Sequence, residues 1–518
     1  MDRREFMATV GLASVSMGAF GASAATDKRP NILFVLSDQH HAACLGCYGH
    51  PDVRTPNLDA IAREGVQFER CYCPYPVCTP SRYSMLSGQY VHEHGGWSNK
   101  CTLPATVDTF PKRLRAAGYK TAAVGKMHHT PTYLDVGFDR MFLSEQDGDG
   151  RWDDDYHREL MANDLMDATD IEDQRRDFRN GAGKEYWETC GAIASDLPEE
   201  FHPTEWTGRK ALEIVEQWRA DENNLLMVSF IKPHHPFDPP QSYKDKYDPE
   251  TLTIPAGWTE TVYPHDLAIN KGYFPHETLT MAQLRKVAAY YYANIEHIDA
   301  QVGRLVEALK RKGIYENTVI VYASDHGEYL GQHHLLLKGG YMYESLARVP
   351  LIARFSNGAR AGEVSSGLVS LVDLAPTFLA QAGCSLGEKM KGMNLAESDG
   401  ARDAVFADGS GGKQVMLRTA THKLIISSEP AMALLYDLTA DPLELTNRYG
   451  DPAYAEVQSA METQLRAWRT PGDLTPVVVD MDAPQINQPN VPPRDLSHRE
   501  AIAAYYRKKI DERRGATA

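Results

Sequence analysis

The sequence predicts an α/β protein whose central, mostly parallel sheet is flanked by helices, with a smaller C-terminal α+β lobe that carries a short antiparallel sheet. Continuous apolar runs of strand length occur at residues 31–36, 225–231 and 318–323. Such runs are typical of strands that are buried on both faces of a parallel sheet. Helical patterns separate these runs, and this alternation favours βαβ units over an all-β fold.

The predicted helices have recognisable ends. Thr55 and Pro56 begin a helix over residues 57–64, because proline suits the first helical position, and Gly65 ends it. In the C-terminal lobe, residues 415–420 and 423–426 have the pattern of hairpin strands. The other predicted elements are a helix at residues 107–117, a strand at 119–124 and a long amphipathic helix at 280–312.

Polar side chains that are capable of chemistry follow four of the predicted strands directly. Asp38, Lys126, His234 and Asp325 each come just after the end of an apolar run. In open α/β sheets, ligands bind at the carboxyl edge of the parallel strands, where the loops converge. We therefore expect these four side chains to lie close together in space, although up to several hundred residues separate them.

The first 25 residues are typical of an export signal. Arg3 and Arg4 precede a short, weakly apolar run, and Ala22-Ser23-Ala24 matches an A-x-A cleavage site. The paired arginines favour a twin-arginine-type signal over an ordinary one. The run is too short and too rich in small residues to span a bilayer stably. The mature protein is therefore expected to be periplasmic or secreted, without a stable membrane anchor.

The mature chain divides into three predicted parts. A main α/β domain covers residues 26–382, a C-terminal subdomain covers 383–474, and an extended Pro-rich arm with a short final helix covers 475–518. The arm is a candidate for clasping a second copy in an oligomer. Within the main domain, an acidic stretch at residues 144–200 interrupts the pattern. It has two interpretations, a solvated insertion or a substrate-recognition loop.

Composition and charge exclude several classes of protein. The chain has 518 residues, of which 42% are apolar and 24% charged, as in an ordinary soluble globular protein and unlike a disordered, collagenous or multispan membrane chain. Its 54 basic and 70 acidic residues give a net charge of −16. Nucleic acid is not an expected partner, because non-specific binding requires a basic surface. An anionic substrate would need a local cluster of cations.

The chain has eight cysteines, and most of them are expected to be buried free thiols. An oxidising compartment also permits disulfides, whose pairing the sequence does not define. Cys44-x-x-Cys47 and Cys71-x-Cys73 suggest a zinc site, but the second spacing is tighter than the usual ligand pairs. Cys78 belongs to a different pattern.

Residues 71–88 read CYCPYPVCTPSRYSMLSG and contain the pattern C-x-P-x-R from Cys78 to Arg82. With this pattern the chain resembles the type I, formylglycine-dependent sulfatases of the alkaline-phosphatase-like superfamily. The resemblance implies their fold, a catalytic role for residues 26–382, and hydrolysis of sulfuric esters. It extends over nearly the whole mature chain, through Asp38, residues 125–128, 232–237 and 325–328, Lys338, and residues 348–352 and 436–442.

The resemblance implies an unusual nucleophile. In this family a formylglycine-generating enzyme oxidises the signature cysteine to formylglycine (3-oxoalanine), and Pro80 and Arg82 match the residues that it reads. The hydrated aldehyde attacks sulfur with one hydroxyl, and the second hydroxyl then allows the sulfate to be expelled. Cys78 is therefore the predicted nucleophile, and Arg82 is predicted to hold it.

The resemblance also implies a divalent cation, which lowers the pKa of the nucleophile and neutralises developing charge. The matching ligands are Asp38, Gln39, Asp325 and His326, together with modified Cys78. The carboxylates suit Ca²⁺, whereas the histidine nitrogen suits Mn²⁺ or another divalent ion better. Many relatives have Asp at the position of Gln39 and Asn at that of His326. Choline sulfatases and phosphonate monoester hydrolases share the present pair.

Four cationic or proton-transferring side chains complete the implied site. Lys126 and Lys338 match lysines that grip the sulfate oxygens, which suits a point charge with several donors. His128 matches a position beside the nucleophile. His234 matches a histidine that contacts the substrate oxygen and helps to protonate the leaving alcohol. The neighbouring histidines are alternatives or structural residues, namely His129 and His235 as alternatives and His40 and His41 as structural residues.

Three functions are consistent with the sequence. The first is an exported sulfatase that acts on a sulfated carbohydrate, with a sulfated small molecule or oligosaccharide and the maturation enzyme as partners. The second is a phosphonate monoester or phosphodiester hydrolase, or a choline-sulfatase-like enzyme, on the same site. The third is a non-catalytic binding protein, which the intact Cys78 and Arg82 argue against.

Overall fold

The apolar runs of the sequence form the middle of a nine-stranded sheet, and a four-stranded antiparallel sheet follows in the C-terminal part. The computed structural model describes residues 29–147, 150–152, 154–398, 402–472, 477–486 and 496–516. The predicted export signal over residues 1–25 lies outside them. The strands are β1 Asn31–Asp38, β2 Val66–Tyr72, β3 Lys120–Gly125, β4 Arg140–Leu143, β5 Asn224–Pro233, β6 Thr318–Ser324, β7 Arg348–Val349, β8 Leu351–Arg354, β9 Glu363–Ser370, β10 Ala404–Gly409, β11 Gln414–Thr419, β12 His422–Ser427 and β13 Leu434–Asp437.

Helices cover both sides of the central sheet and connect its strands. The predicted helices at residues 57–64, 107–117 and 280–312 are present with small shifts at their ends. The helices are α1 Pro56–Arg63, α2 Cys78–Ser87, α3 Val91–His94, α4 Phe110–Ala116, α5 Asp155–Ala162, α6 Ala168–Gln174, α7 Arg176–Arg179, α8 Lys184–Glu188, α9 Pro203–Gln217, α10 Gln241–Lys244, α11 Pro264–Ile269, α12 Met281–Arg311, α13 Glu344–Ala347, α14 Leu374–Gln381, α15 Ala455–Trp468 and α16 Leu496–Ala516.

The strand order of the large sheet determines where its loops meet. The order is β4-β3-β5-β1-β6-β8-β2-β7, with β9 beside β2. From β4 to β6 all neighbouring strands are parallel, whereas β8 pairs antiparallel with both β6 and β2. The carboxyl ends of β3, β5, β1 and β6 therefore lie side by side at one edge. The predicted α/β class with a mostly parallel sheet is confirmed.

The long helix α12 stabilises the parallel half of the sheet. Its 31 residues begin at a capping box, in which Thr280 and Gln283 satisfy each other's backbone N–H groups. The predicted apolar stripe from Leu284 to Leu309 is buried in the larger core cluster, together with Val35 of β1 and Val228 of β5. Burial of such side chains contributes about 1.5–3 kcal/mol each relative to exposure.

The C-terminal part contains the second sheet. The predicted hairpin is present as β11 and β12, which pair antiparallel between β10 and β13. Leu417 and Leu424 face α15 and share a core cluster with its Met461 and Leu465. The smaller lobe with a short antiparallel sheet is therefore confirmed.

The described residues of the acidic stretch at 144–200 form helices with both buried and exposed side chains. The stretch contains α5, α6, α7 and α8, and α16 packs over it. Ile171 and Phe178 share an apolar cluster with Ile502, Tyr506 and Ile510 of α16. The final helix spans 21 residues and is longer than expected. Residues 477–486 of the predicted arm contact the main domain of the same chain. The Asp135 N–H donates a hydrogen bond to the Pro484 carbonyl over 2.8 Å.

All eight cysteines carry free thiols, as expected for most of them. Six are buried and two are half-buried. Among the described residues, no helix combines the length and the apolar character that crossing a membrane requires.

The packing of α16 on the insertion predicts a local effect. Ile502→Ala removes a buried side chain from this contact, and we expect a loss of about 2–5 kcal/mol of local stability. Hydrogen exchange measured by mass spectrometry should become faster in residues 154–196 and stay unchanged in β1 and β6. Arg507→Ala, an exposed position on the same helix, serves as the control. An equal increase across the whole protein in the Ile502 variant would contradict the prediction.

Candidate active site

Cys78 is the first residue of α2 and lies at the carboxyl edge of the parallel strands. All ten residues of α2 are buried, and Cys78 is fully inaccessible to solvent. Its Sγ lies 3.6 Å from Asp38 Oδ1, 3.3 Å from His326 Nε2 and 3.0 Å from Lys338 Nζ. Three segments that are far apart in sequence, ending β1, beginning α2 and following β6, thus meet at one sulfur atom.

Arg82 lies one helical turn after Cys78 and joins the two carboxylates. Its Nε donates to Asp325 Oδ2 over 2.8 Å, and its Nη2 donates to Asp38 Oδ2 over 3.0 Å. Nη1 donates to the Lys126 carbonyl and to Ser229 Oγ. These bonds hold the Asp38 and Asp325 carboxylates in place beside Cys78, and the role of Arg82 toward the modified nucleophile stays a prediction. The planar, multiply donating guanidinium is suited to this work.

Asp38, Cys78, Asp325 and His326 form a compact group of potential metal ligands. One ligand atom from each lies within 4.8 Å of all the others, and all four residues are buried. His326 Nδ1 bonds the Gly327 carbonyl over 3.0 Å, which leaves Nε2 facing Cys78 and Asp38. Orientation of a histidine ligand by such a bond is common in metal sites.

Gln39 follows Asp38 and fits the same group. Its backbone N–H donates to Asp325 Oδ1 over 3.1 Å, and its side-chain Nε2 donates to Glu328 Oε2 over 2.5 Å. Its Oε1 is buried and has no hydrogen-bond partner among the described residues. A buried acceptor without a partner is uncommon, and coordination of a cation would satisfy it.

The charges in the site also fit a divalent cation. Burial and the neighbouring charge of Asp38 raise the pKa of Asp325. Burial alone would raise the pKa of Asp38 as well, but Lys126, His234 and Lys338 hold it below its usual range. A cation between the two carboxylates would offset their mutual repulsion, and oxygen donors of this kind suit Ca²⁺.

Cys44, Cys47, Cys71 and Cys73 belong to no candidate metal group in the described part of the chain.

Positive charges surround the thiol. Burial would raise the pKa of Cys78, but nearby cations, led by Lys338 and Lys126, hold it well below the usual range. Lys126 is 1% exposed, and its Nζ lies 2.8 Å from Asp38 Oδ2. The Lys338 side chain is 15% exposed, so the site is least enclosed on this side. An anionic group that enters beside Lys338 would meet two ammonium groups.

His128 reaches Cys78 from the loop after β3. Its imidazole lies near Cys78 and helps to lower the pKa of that thiol, and both of its ring nitrogens are buried without a hydrogen-bond partner among the described residues. Its backbone adopts the left-handed region, with φ of 58°. Glu145 accepts hydrogen bonds from the N–H groups of Met127 and His128, each at 2.9 Å, and so fixes this conformation.

The two histidines after β5 have different environments. His234 Nδ1 bonds the His235 carbonyl over 2.6 Å, which leaves Nε2 available to a ligand. Burial, and then the charge of Lys338, lowers the pKa of His234 well below its usual value. His235 Nδ1 instead contacts Asp173 Oδ2 of the insertion at 2.6 Å. This geometry favours His234 over His235 as the substrate-facing residue.

The other histidines that the sequence offered as alternatives have structural partners. His40 uses both ring nitrogens, at 2.6 Å to Tyr322 Oη and 3.0 Å to the Cys44 carbonyl. His129 stacks on Tyr83 with ring centroids 5.5 Å apart. His41 Nδ1 accepts from the Ala43 backbone N–H.

The insertion contributes residues that the sequence did not single out. Gln146 Oε1 accepts a hydrogen bond from Lys126 Nζ over 3.1 Å, and its Nε2 donates to the His235 carbonyl over 2.6 Å. Glu145 and Gln146 follow β4 just as Lys126 follows β3. Active-site residues often follow the ends of parallel strands. A prediction of the four-residue strand β4 would therefore have pointed to Glu145 and Gln146. Asp173 has no such signal, because it lies in a helix of the insertion.

Comparison with known proteins identifies the family. The sulfatase family matches residues 30–384, and the C-terminal region of the N-sulphoglucosamine sulphohydrolase family matches residues 331–471. The arylsulfatase of Clostridium perfringens is 30% identical over 83% of this chain and 92% of its own length. The N-acetylglucosamine-6-O-sulfatase of Bacteroides thetaiotaomicron is 29% identical over 84% of this chain and 85% of its own.

Two solved structures have the same fold. The phosphonate monoester hydrolase of Agrobacterium radiobacter has a TM-score of 0.70 and 25% identity, over 85% of this chain and 96% of its own. A protein in complex with its substrate D-glucosamine-2-N,6-O-disulfate has a TM-score of 0.66 and 25% identity, over 85% of this chain and 97% of its own. The chain belongs to the sulfatase family and is a sulfuric ester hydrolase.

Proposed function

We propose that this enzyme hydrolyses sulfate esters of a sulfated carbohydrate, with Cys78 in its formylglycine form and a bound divalent cation. The convergence of Cys78, Asp38, Asp325 and His326 within 4.8 Å carries the proposal. Two lysines beside this group suit an anionic substrate, because buried ammonium groups are stabilised by a negative partner. The preferred ion is Ca²⁺, with Mn²⁺ as the alternative that the His326 nitrogen allows.

In the proposed reaction, side chains of the enzyme orient and neutralise the sulfate group. When bound, the cation polarises a sulfate oxygen while formylglycine supplies the nucleophilic hydroxyl. Asp38, Gln39, Asp325 and His326 would hold the cation, and Arg82 keeps the two carboxylates in place. Lys126 and Lys338 donate hydrogen bonds to the sulfate oxygens. Fixed donors in a dry site stabilise developing charge without reorganisation.

The leaving alcohol requires a proton, and His234 is placed to provide it. Its Nδ1 is engaged by the His235 carbonyl at 2.6 Å, so proton transfer would occur at Nε2. An incoming sulfate adds negative charge, which favours the protonated imidazole. His128 would then contact the nucleophile from the other side and hold its hydroxyl groups by hydrogen bonding.

Carbohydrate substrates are favoured by the insertion and by the relatives. Gln146 contacts Lys126 at 3.1 Å, and Asp173 contacts His235 at 2.6 Å, so residues 144–200 reach the site itself. One relative is an N-acetylglucosamine-6-O-sulfatase, and one structural neighbour binds a disulfated glucosamine. We propose that the insertion forms the substrate-recognition wall. Export through the segment at residues 1–25 would bring the enzyme to extracellular polysaccharide.

A phosphonate monoester hydrolase is the second candidate. The pairing of Gln39 with His326 favours it, and a phosphonate monoester hydrolase shares the fold with a TM-score of 0.70. Sulfuryl and phosphonyl groups are both tetrahedral, so one site can accept either. Gln39 in place of a third carboxylate leaves less negative charge around the cation.

Replacement of Cys78 tests the nucleophile. Cys78→Ala should lower the rate of sulfate release by at least about 10⁴-fold, because loss of a covalent nucleophile has effects of this size. Sulfate is measured by ion chromatography. Cys384→Ala, a half-buried cysteine elsewhere in the chain, should keep full activity. Mass spectrometry of the tryptic peptide should detect formylglycine at residue 78 in active enzyme only.

Removal of the cation tests the metal site. Dialysis against a chelator should abolish sulfate release, and Ca²⁺ should restore it. Ca²⁺ at 100 times its Kd should stabilise the folded protein by about 2.7 kcal/mol, measured as a rise in melting temperature. Asp325→Asn should lose this rise. Full activity after exhaustive chelation would contradict a metal-dependent mechanism.

A substrate panel separates the two candidate functions. Sulfated oligosaccharides, choline sulfate, an aryl sulfate and a phenyl phosphonate monoester are compared by kcat/KM, each with the Cys78→Ala variant as a blank. We expect the highest kcat/KM for one class of sulfated oligosaccharide. A higher value for the phosphonate would favour the second candidate and assign the Gln39 and His326 pair to that specificity.

A further inference from the structure

Glu328 is a buried carboxylate that takes no direct part in the proposed reaction. It lies three residues after Asp325 and is 0% exposed. Burial raises the pKa of an isolated carboxyl group, so a buried glutamate needs several hydrogen bonds to be tolerated. Glu328 accepts three hydrogen bonds, one from the side chain of Gln39 and two from the backbone of the loop that carries Lys338.

We infer that Glu328 is a positioning residue that fixes both the amide orientation of Gln39 and the loop that carries Lys338. The inference rests on the proposed metal-dependent function and adds a residue to it. The Glu328 carboxylate would thereby position both a metal ligand, Gln39, and a sulfate-binding lysine, Lys338.

Glu328 determines which way the side-chain amide of Gln39 points. Glu328 Oε2 lies 2.5 Å from the side-chain nitrogen of Gln39. An ionised carboxylate only accepts hydrogen bonds, so the amide must present its NH₂ group to Glu328 and its oxygen to the other side. That oxygen, Oε1, is the buried atom without a hydrogen-bond partner among the described residues. Oxygen, rather than the amide nitrogen, is the atom that binds Ca²⁺.

The backbone of Gln39 is held in place by hydrogen bonds, so the orientation of its side-chain amide is the choice that remains. Its N–H donates to Asp325 Oδ1 over 3.1 Å, and its carbonyl accepts from Tyr291 Oη over 2.6 Å. Its φ is 63°, in the left-handed region, which is held by these two bonds. A flip of the amide would bring oxygen against carboxylate at Glu328. The donor and acceptor pattern therefore selects one orientation.

Glu328 also holds the loop after β6 in place. Glu328 Oε1 accepts from the Leu330 N–H over 3.2 Å and from the Leu337 N–H. Leu337 directly precedes Lys338, and both leucines have positive φ, at 44° and 67°. The carboxylate thus ties the start of this loop to its end. Lys338 Nζ then lies 3.0 Å from Cys78 Sγ.

Exchange of donor and acceptor tests the inference. E328Q replaces one acceptor by an NH₂ group, so either Gln39 or the Leu337 N–H faces a donor. We expect the affinity for Ca²⁺, measured by calorimetry on the chelated full-length enzyme, to fall about 10- to 100-fold, as for other residues that support metal ligands. The reciprocal double variant Q39E/E328Q restores one donor against one acceptor and keeps the charge. It should recover most of the lost affinity.

A matched control separates this effect from general destabilisation. Glu444 is also 0% exposed and accepts the Glu344 N–H over 2.6 Å, beside Lys423. E444Q should lower the melting temperature and leave Ca²⁺ affinity unchanged. If E328Q does not fold, the Q39E/E328Q variant tests the inference by itself. Only a donor–acceptor contact between residues 39 and 328 predicts that this variant folds and binds Ca²⁺ with nearly native affinity.

Two results would overturn the inference. Unchanged Ca²⁺ affinity in folded E328Q removes Glu328 from metal positioning, while wild-type Ca²⁺ binding and sulfate release leave the proposed function standing. A double variant that is folded but binds Ca²⁺ as weakly as E328Q also overturns it. A wild-type protein that neither binds Ca²⁺ nor releases sulfate would overturn this inference and the proposed function together.

Discussion

The arrangement of the active site depends on the cost of burying charge. Asp38 and Asp325 are fully buried at the ends of adjacent strands, and Arg82 bridges them from α2. Removal of one partner from a buried ion pair typically costs about 3–5 kcal/mol, because the remaining charge stays uncompensated. β1, β6 and α2 are therefore held in one relative position by electrostatics as well as by packing. The same requirement brings Lys126 to within 2.8 Å of Asp38.

The sequence predicted the parts of the fold that have a strong periodic or continuous signal. β1, β5, β6 and α12 are of this kind, because their burial leaves a long apolar trace. The short strand β4 and the antiparallel strands around β2 carry no comparable pattern, and their pairing depends on distant segments. The residues of the site divide in the same way, into those with a sequence signal and those without one. Motifs identified Cys78, Asp38 and Asp325, but the hydrogen-bond partners of Arg82 and the approach of Asp173 depend on tertiary placement.

The proposed function assigns catalysis and recognition to different parts of the chain. The groups around Cys78 lie on the strands, helices and short loops of the parallel half-sheet, which is rigid through its packing with α12. The insertion lies beside them and contacts them through Gln146 and Asp173. The helix α16 packs on the insertion through a shared apolar cluster, and this contact supports the helices of the insertion. In the proposed function, substitutions in the insertion would therefore alter the choice of substrate, and Gln146 is the direct link from the insertion to Lys126 of the charged centre.

The complete burial of α2 has a consequence for when the proposed formylglycine could form. Every residue from Cys78 to Ser87 is enclosed in the folded protein. In the proposed function, the enzyme that oxidises the Cys78 thiol would need access to a side chain that the folded protein encloses completely, so it would have to act before α2 packs. Folding and this proposed maturation would then compete in time, and a chain that folded first would keep its thiol. The fraction of active molecules would thus record the outcome of a kinetic race rather than an equilibrium.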